Sequence, residues 1–544
     1  MRLIDATRII ASSTSTSTKE IMLLAWTSKK IYKVCWPSLI RSTLASRYQV
    51  RSNSTTARPV AYKCIRVMNE NDIESLYPLI TSYVRKPSLA DALREVVFDA
   101  DQWPTYSFYE EDPDPDFPQE LAKEIAKERA KKLRWHPRQV DNDAHYALED
   151  YVQSLAFEED TSTQIINALS WKKQQWQGQQ QENLDSLSQN NRAFACAALV
   201  VIFSICKNIS TLRLGKLLDS PLLEDYFLKS NYGRLSHPGL QQLKHVEVIP
   251  SLLDERHYED VEFLDYFRYF GRLPTIDAIS MDGVMEHGAE RGFAPPGTSN
   301  IKKVHLSHVD IPSRMLSTII RIPEGLEEFK VSIGGLWHID GMQPFIFPKT
   351  LGKSLLQHKK TLKVLGLDID IAALGRKFEG VDSEGHLKED DLERDEYFRL
   401  DEAASKVPFW LRDVPDDRTY GYTVGSLADF ESLTHLSIGV KALLGPNGDQ
   451  PRPRLETPPP LRLIDALPPS LEYLCLYGYR KGENEDIDDH VEELMRHKAE
   501  RLPQLVEIRG VDEEVLGVAN MYDGDDPEDK LWQRPKREWK WVEA

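Results

Sequence analysis

The chain has 544 residues, a formal net charge of -18 and 41% hydrophobic residues. That length exceeds one ordinary compact core and calls for several domains or an array of repeats. The acidic balance argues against sequence-independent nucleic-acid binding, which needs clustered Lys and Arg to displace counterions.

The N-terminal stretch contains "SSTSTSTK" and several Arg and Lys residues with few acids, a composition shared with transit peptides. Ile21 to Ala45 follows as "IMLLAWTSKKIYKVCWPSLIRSTLA". Leu23, Leu24, Trp26, Ile31 and Trp36 belong to one compact apolar set, and Pro37 breaks the segment into two short predicted helices. "YEEDPDPDFPQE" (Tyr109 to Glu120) is acidic and Pro-broken, hence a solvated loop. "QELAKEIAKERAKKLRW" after it carries strong helix formers and Glu–Lys pairs. "KKQQWQGQQQENLDSLSQNN" (Lys172 to Asn191) is Gln-rich and reads as a flexible insertion. "AFACAALVVIFSIC" (Ala193 to Cys206) is uncharged, but its fourteen residues fall short of the roughly 20 that span a bilayer. It predicts a buried helix and no membrane segment.

From there one spelling recurs, Leu-x-x-Leu-x-Leu with aliphatic substitutes. It stands at Ile209, Leu212 and Leu214, then at Leu243, Val246 and Val248, and more weakly at Leu273, Ile276 and Ala278. It returns at Ile301, Val304 and Leu306, at Leu326, Phe329 and Val331, and at Leu362, Leu365 and Leu367. The last full copies are Leu433, Leu436 and Ile438, and Leu471, Leu474 and Leu476. Fainter copies lie at Leu93, Val96 and Phe98 and at Leu502 and Leu505. From Ile209 the first positions advance by 34, 30, 28, 25, 36, 71, 38 and 31, so the long step holds a degenerate copy or an insertion. The final two apolar positions alternate with period two, as in a half-buried strand. Helical stretches intervene: Ser251 to Gly271 through Leu253, Val261, Leu264 and Phe267, then "PSRMLSTIIRI" and "TLGKSLLQHKK". Strand, turn and helix repeated at this period predict an α/β solenoid of irregular leucine-rich repeats with parallel strands. An ordinary α/β domain with leucine-rich strands is the plainer alternative.

The expected boundaries are a helical segment over 1–60, the repeats over 61–515, and a polar tail over 516–544. Insertions are expected near 109–135, 172–192, 376–425 and 445–460. The tail carries three tryptophans and reads either as unstructured or as a cap on the last repeat.

"LLAWTSKKIYKVCWPSLIRSTL" followed by spellings like "LPPSLEYLCLYGY" resembles the fungal F-box proteins with leucine-rich repeats. The Leu-Pro-x-Glu turn that opens such modules is not spelled here, so the module reads as degenerate or incomplete. The resemblance implies a substrate adaptor of an SCF-type ubiquitin ligase. Leu23, Leu24, Trp26, Ile31 and Trp36 would dock the ligase's adaptor subunit, and a protein substrate would bind the repeats. The alternative is a repeat scaffold with no ubiquitin role.

Catalytic spellings such as Gly-x-x-x-x-Gly-Lys, His-Glu-x-x-His and Gly-x-Ser-x-Gly do not occur, and recognition is expected in place of catalysis, with no cofactor and no metal. His338 and Asp340 read as a hydrogen-bonded turn, His257 as part of a solvated helix face, and Asp368 with Asp370 as an exposed polar edge. The residues between the repeat leucines project outward and form the candidate partner face: Arg213, His245, Glu247, Lys303, His305, Lys330, His435, Tyr473 and Tyr477. Their mixture of charge and aromatic area suits a protein partner. Five cysteines without a Cys-x-x-Cys pair point to a reducing compartment, cytoplasmic or nuclear.

Overall fold

Period-two alternation commits each repeat to a strand with one apolar face, and such faces are stable only when stacked. The computed structural model describes residues 60–103, 140–178, 184–217, 220–250, 257–285, 295–336, 346, 348–370, 423–445, 461–518, 532, 534, 535 and 537–544. The chain divides into two compact units, Met1–Val60 and Ala61–Ala544. The docking set Leu23, Leu24, Trp26, Ile31 and Trp36 lies outside the described residues. So do the predicted helix after Gln119, His338 with Asp340, and the bulk of the insertions placed near 109–135, 376–425 and 445–460.

The second unit begins with β1 (Tyr62–Val67), α1 (Glu70–Arg85) and β2 (Glu95–Phe98). Three helices follow, α2 (Asn142–Ser154), α3 (Glu159–Trp176) and α4 (Leu184–Ile205). Then come β3 (Thr211–Leu214), α5 (Pro221–Asn231), β4 (His245–Val248), β5 (Glu259–Asp260), α6 (Phe263–Phe270), β6 (Ala278–Asp282), β7 (Val284–Met285) and β8 (Lys303–Val309). The next elements are α7 (Ser313–Arg321), β9 (Glu328–Ile333), α8 (Pro348–Leu355), β10 (Val364–Asp368), β11 (His435–Gly439) and α9 (Val440–Leu444). The chain ends through α10 (Leu463–Ala466), β12 (Tyr473–Tyr477), α11 (Glu485–Arg501), β13 (Glu507–Arg509) and β14 (Val542–Glu543).

Twelve strands form one sheet whose order follows the chain, from β13 through β12, β11, β10, β9, β8, β6, β4, β3 and β2 to β1, with β14 added beyond β1. Every pair is parallel except β1 with β14. The fold is therefore α/β with a mostly parallel sheet, as the sequence predicts at that level. Register aligns one inward row, Ile65, Val96, Leu212, Val246, Ile279, Val304, Phe329, Leu365, Leu436 and Leu474. All ten side chains are buried and belong to a single continuous core. The leading residues Leu93, Ile209, Leu243, Ile301, Leu326, Leu362, Leu433 and Leu471 are buried in the same core. Helices between the strands pack on their neighbours, α5 on α6 and α7 on α8. Asn69, Asp141 and Asn484 start α1, α2 and α11 by accepting backbone N–H bonds three residues on, each at 3.1 Å.

Several expectations are corrected. The weak copy at Leu273, Ile276 and Ala278 is out of frame by three: Ile279 and Met281 point inward, and Ala278 pairs beside the outward Lys303. The last copy likewise reads Leu505 then Ile508, because Leu474 pairs with Ile508. The long step is an insertion and not a lost copy, since Val364 of β10 pairs directly with His435 of β11. Among the described residues of the helix expected over Ser251 to Gly271, Phe263–Phe270 is helical, while Glu259 and Asp260 form a short strand beside Val284 and Met285. The Gln-rich insertion near 172–192 is largely helix, the end of α3 and the start of α4, with Lys172 completely buried against Glu74 and Asn191. Ala193 to Cys206 is the interior of α4, as predicted, and Phe194 to Phe203 are almost wholly inaccessible. Among the described residues no helix is long and apolar enough to cross a membrane.

Candidate functional site: the outward face of the sheet

Alternation places the residues between the inward rows on the opposite face. Register sets His245, Lys303, Glu328, His435 and Tyr473 in one outward row. Arg213, Glu247, Ser280, His305 and Lys330 stand in the next. All nine sequence-predicted partner residues thus lie on one face, with Tyr477 one row further along β12. His435 and Tyr473 stack with ring centroids 5.8 Å apart.

Much of the charge on this face is already matched by neighbours on the same or adjacent strands. Lys303 Nζ lies 2.9 Å from Asp277, and Glu328 lies 3.0 Å from His305 Nε2 and 2.6 Å from Lys330 Nζ. Burial holds the His305 imidazole below its usual range, and Lys330 adds to that. Burial also lowers His245, reinforced by the Arg213 charge, and its Nε2 meets Ser280 Oγ at 3.1 Å. Burial pushes the Glu328 carboxyl up, but the Lys330 ammonium and His305 outweigh it and hold it below the ordinary range. Opposite charges paired within and between neighbouring rows offer a polar surface with no strong field of one sign.

The predicted partner residues differ in accessibility. Lys330 and His435 are exposed, and Lys303, His305 and Tyr473 partly so. Glu247 is only 9% exposed, contrary to its expected role as an open contact. Arg213 and the tail residue Arg537 both close on its carboxylate.

That contact reveals where the C-terminal tail goes. Its described residues, Trp532 onward, lie on the sheet at successive points from β8 to β1. Tyr477 bridges Val515, and Val518 N donates to Asp368 at 2.6 Å. Trp532 N donates to Gly335 O at 3.0 Å, and its ring stacks on His308 with centroids 3.7 Å apart. Arg534 Nη2 reaches the carbonyls of His257 and Gly283, each at 2.7 Å. Trp539 packs on Cys64, Met68, Val97 and Ile249, a small apolar cluster separate from the main core. Its carbonyl accepts from Arg66 Nη1 at 3.0 Å. Trp541 Nε1 donates to Asp72 at 3.2 Å, its ring meets Tyr62 edge-on at 5.1 Å, and β14 pairs antiparallel with β1.

His308 reaches Trp532 because β8 is irregular. The register between β8 and β9 shifts after Leu306, and His308 adopts a positive φ of 49°. Such a bulge re-aims a side chain. Asp282 fixes the ring through Nδ1 at 2.9 Å, and Ser332 Oγ accepts from the His308 backbone N–H at 2.9 Å. Sequence reasoning missed His308, Asp282, Arg66 and the whole tail set; the signal available was "WQRPKREWKW", a basic, Trp-rich run in an acidic chain.

The remaining candidates for chemistry are structural. Asp368 accepts from Val518 N, and Asp370, half-buried, accepts from Lys441 N at 2.9 Å and Ala442 N at 3.2 Å, so this pair links neighbouring backbone and is not an exposed edge. His257 lies outside any helix, and its carbonyl serves Arg534. Among the described residues no group of three or more His, Cys, Asp or Glu could hold a metal ion. Compared with known protein families, the chain matches none, and it has no significant match among curated proteins.

Proposed function

We propose that the second unit is a leucine-rich-repeat solenoid that recognises a protein on the outward face of its sheet. In this reading the segment over 1–60 is an F-box-like module, and the chain is a substrate adaptor of an SCF-type ubiquitin ligase. One observation carries the recognition part. The same apolar triplet feeds strand after strand in chain order, and every strand turns its polar alternates to one shared face. A surface so continuous, patterned in both charges and aromatics, suits an extended protein contact. The adaptor part rests on the resemblance of residues 20–45 and of the repeats to the F-box proteins.

Co-purification tests the adaptor part. The full chain and a chain lacking residues 1–60 are each expressed with the ligase adaptor subunit. Capture by the full chain alone supports docking through Leu23, Leu24, Trp26, Ile31 and Trp36. No capture by either removes the ubiquitin role and leaves a recognition scaffold.

A further inference from the structure

The tail's contacts show what chemistry the outward face accepts. We propose that residues 532–544 are a tethered ligand of this face, and that the face takes from a partner protein an extended segment bearing arginine and tryptophan. This rests on reading the face as a recognition surface and adds the class of partner.

Four observations support it. The tail's side chains meet the face at a few separated points, namely Trp532 on His308, Arg534 on two carbonyls, Arg537 on Glu247 and Trp539 on its own small apolar cluster, and its main chain adds contacts at Trp532, at Trp539 and along β14. Charge-assisted bonds and aromatic anchors are the chemistry of an interface between chains. Charge is complementary: residues 532–544 hold four Lys or Arg and two Glu, in a chain of net charge -18. The face is built to survive departure of the tail. Glu247 keeps Arg213 as a partner, and Asp282 keeps His308. Lastly, among the described tail residues only Trp541, at the sheet edge, packs against the main core, so the buried core cluster does not include the described residues of 532–540. A covalently attached segment needs little intrinsic affinity, because tethering supplies an effective concentration of about millimolar. A free segment with the same anchors and more contacts would displace it.

The test uses the full chain with a specific protease site placed between Val518 and Trp532 and cut after purification. A fluorescent synthetic peptide of residues 530–544 is the probe, followed by anisotropy. The cut chain should exchange its own tail for the probe, and the uncut chain should bind the probe at least about tenfold more weakly. A peptide with Arg537→Glu and Trp539→Ala should lose at least about tenfold in affinity. A circular-dichroism melt checks that the cut chain stays folded. If cutting unfolds it, the uncut chain carrying Arg537→Glu and Trp539→Ala serves in its place and should bind the native probe. Equal binding by native and substituted peptides would overturn the proposal. So would a cut tail that never exchanges, or a folded chain with a loosened tail that ignores the probe. None of these outcomes bears on capture of the ligase adaptor through residues 1–60, so the two readings fail separately.

Discussion

Leu474 and Tyr477 sit three positions apart on β12 with opposite fates. Leu474 is fully buried between Leu436 of β11 and Ile508 of β13, whereas Tyr477 is only half-buried on the far face. Leu474→Ala removes three carbons from the core, about 2–3 kcal/mol of transfer free energy at roughly 0.8 kcal/mol per methylene. The cavity left behind raises the cost to about 3–5 kcal/mol, because flanking strands on both sides prevent collapse. A chain of this size need not unfold in one step, so the loss is best read locally. Amide hydrogen exchange of β11, β12 and β13 should accelerate by about two to three and a half powers of ten. Tyr477→Ala should change these rates by less than about tenfold while leaving the core intact. Comparable acceleration in both variants, or unchanged exchange in Leu474→Ala, would refute the assignment of inward and outward rows.

Other perturbations test other parts of the fold. Lys172→Met removes the cation facing the buried Glu74 and should cost about 3–5 kcal/mol in a thermal or urea melt, while Lys172→Met with Glu74→Met should recover most of it. Gly510 has φ +80°, and an added Cβ would stand 2.0 Å from the Leu476 carbonyl oxygen; Gly510→Ala should destabilise the β12–β13 edge by at least about 2 kcal/mol, read as lost exchange protection of β13. Burial pushes the Asp99 carboxyl up to about 7 from 3.8. The folded chain then holds that proton at higher pH than the unfolded chain does, so the stabilisation is full below about pH 4 and is lost as pH rises through about 7. The melting temperature of the wild type should therefore gain more on going from about pH 8 to about pH 5 than that of Asp99→Asn; identical slopes would show that Asp99 does not titrate with folding.

Where a local rule decides the structure, the sequence is informative. Strands β3, β4, β8, β9, β10, β11 and β12 fall on the predicted triplets, because period-two alternation and a buried leading residue are both local constraints. The frame slipped at β6 since Leu273, Ile276 and Ala278 satisfy the same spacing as Ile276, Ile279 and Met281; only pairing with β8 separates them. The Gln-rich stretch looked like a linker by composition, yet Gln is a good helix former and Lys172 finds Glu74 far upstream in sequence. The candidate face was legible as a set of alternates, but the burial of Glu247 was not. It depends on Arg537, 290 residues away in sequence, and no local pattern encodes so distant a meeting. The run "WQRPKREWKW" announced an unusual segment without announcing its destination.

The direct pairing of Val364 with His435 has an engineering consequence. The chain steps out of the sheet after β10 and re-enters in the adjoining lane, with the ladder unbroken. Closing such an excursion costs free energy that rises only logarithmically with its length. A foreign folded domain spliced into that excursion should thus leave the protection of β10 and β11 amides within about threefold of the parent. The crossing is a place to splice in a reporter or effector, at a cost set by the span between the cargo's two ends.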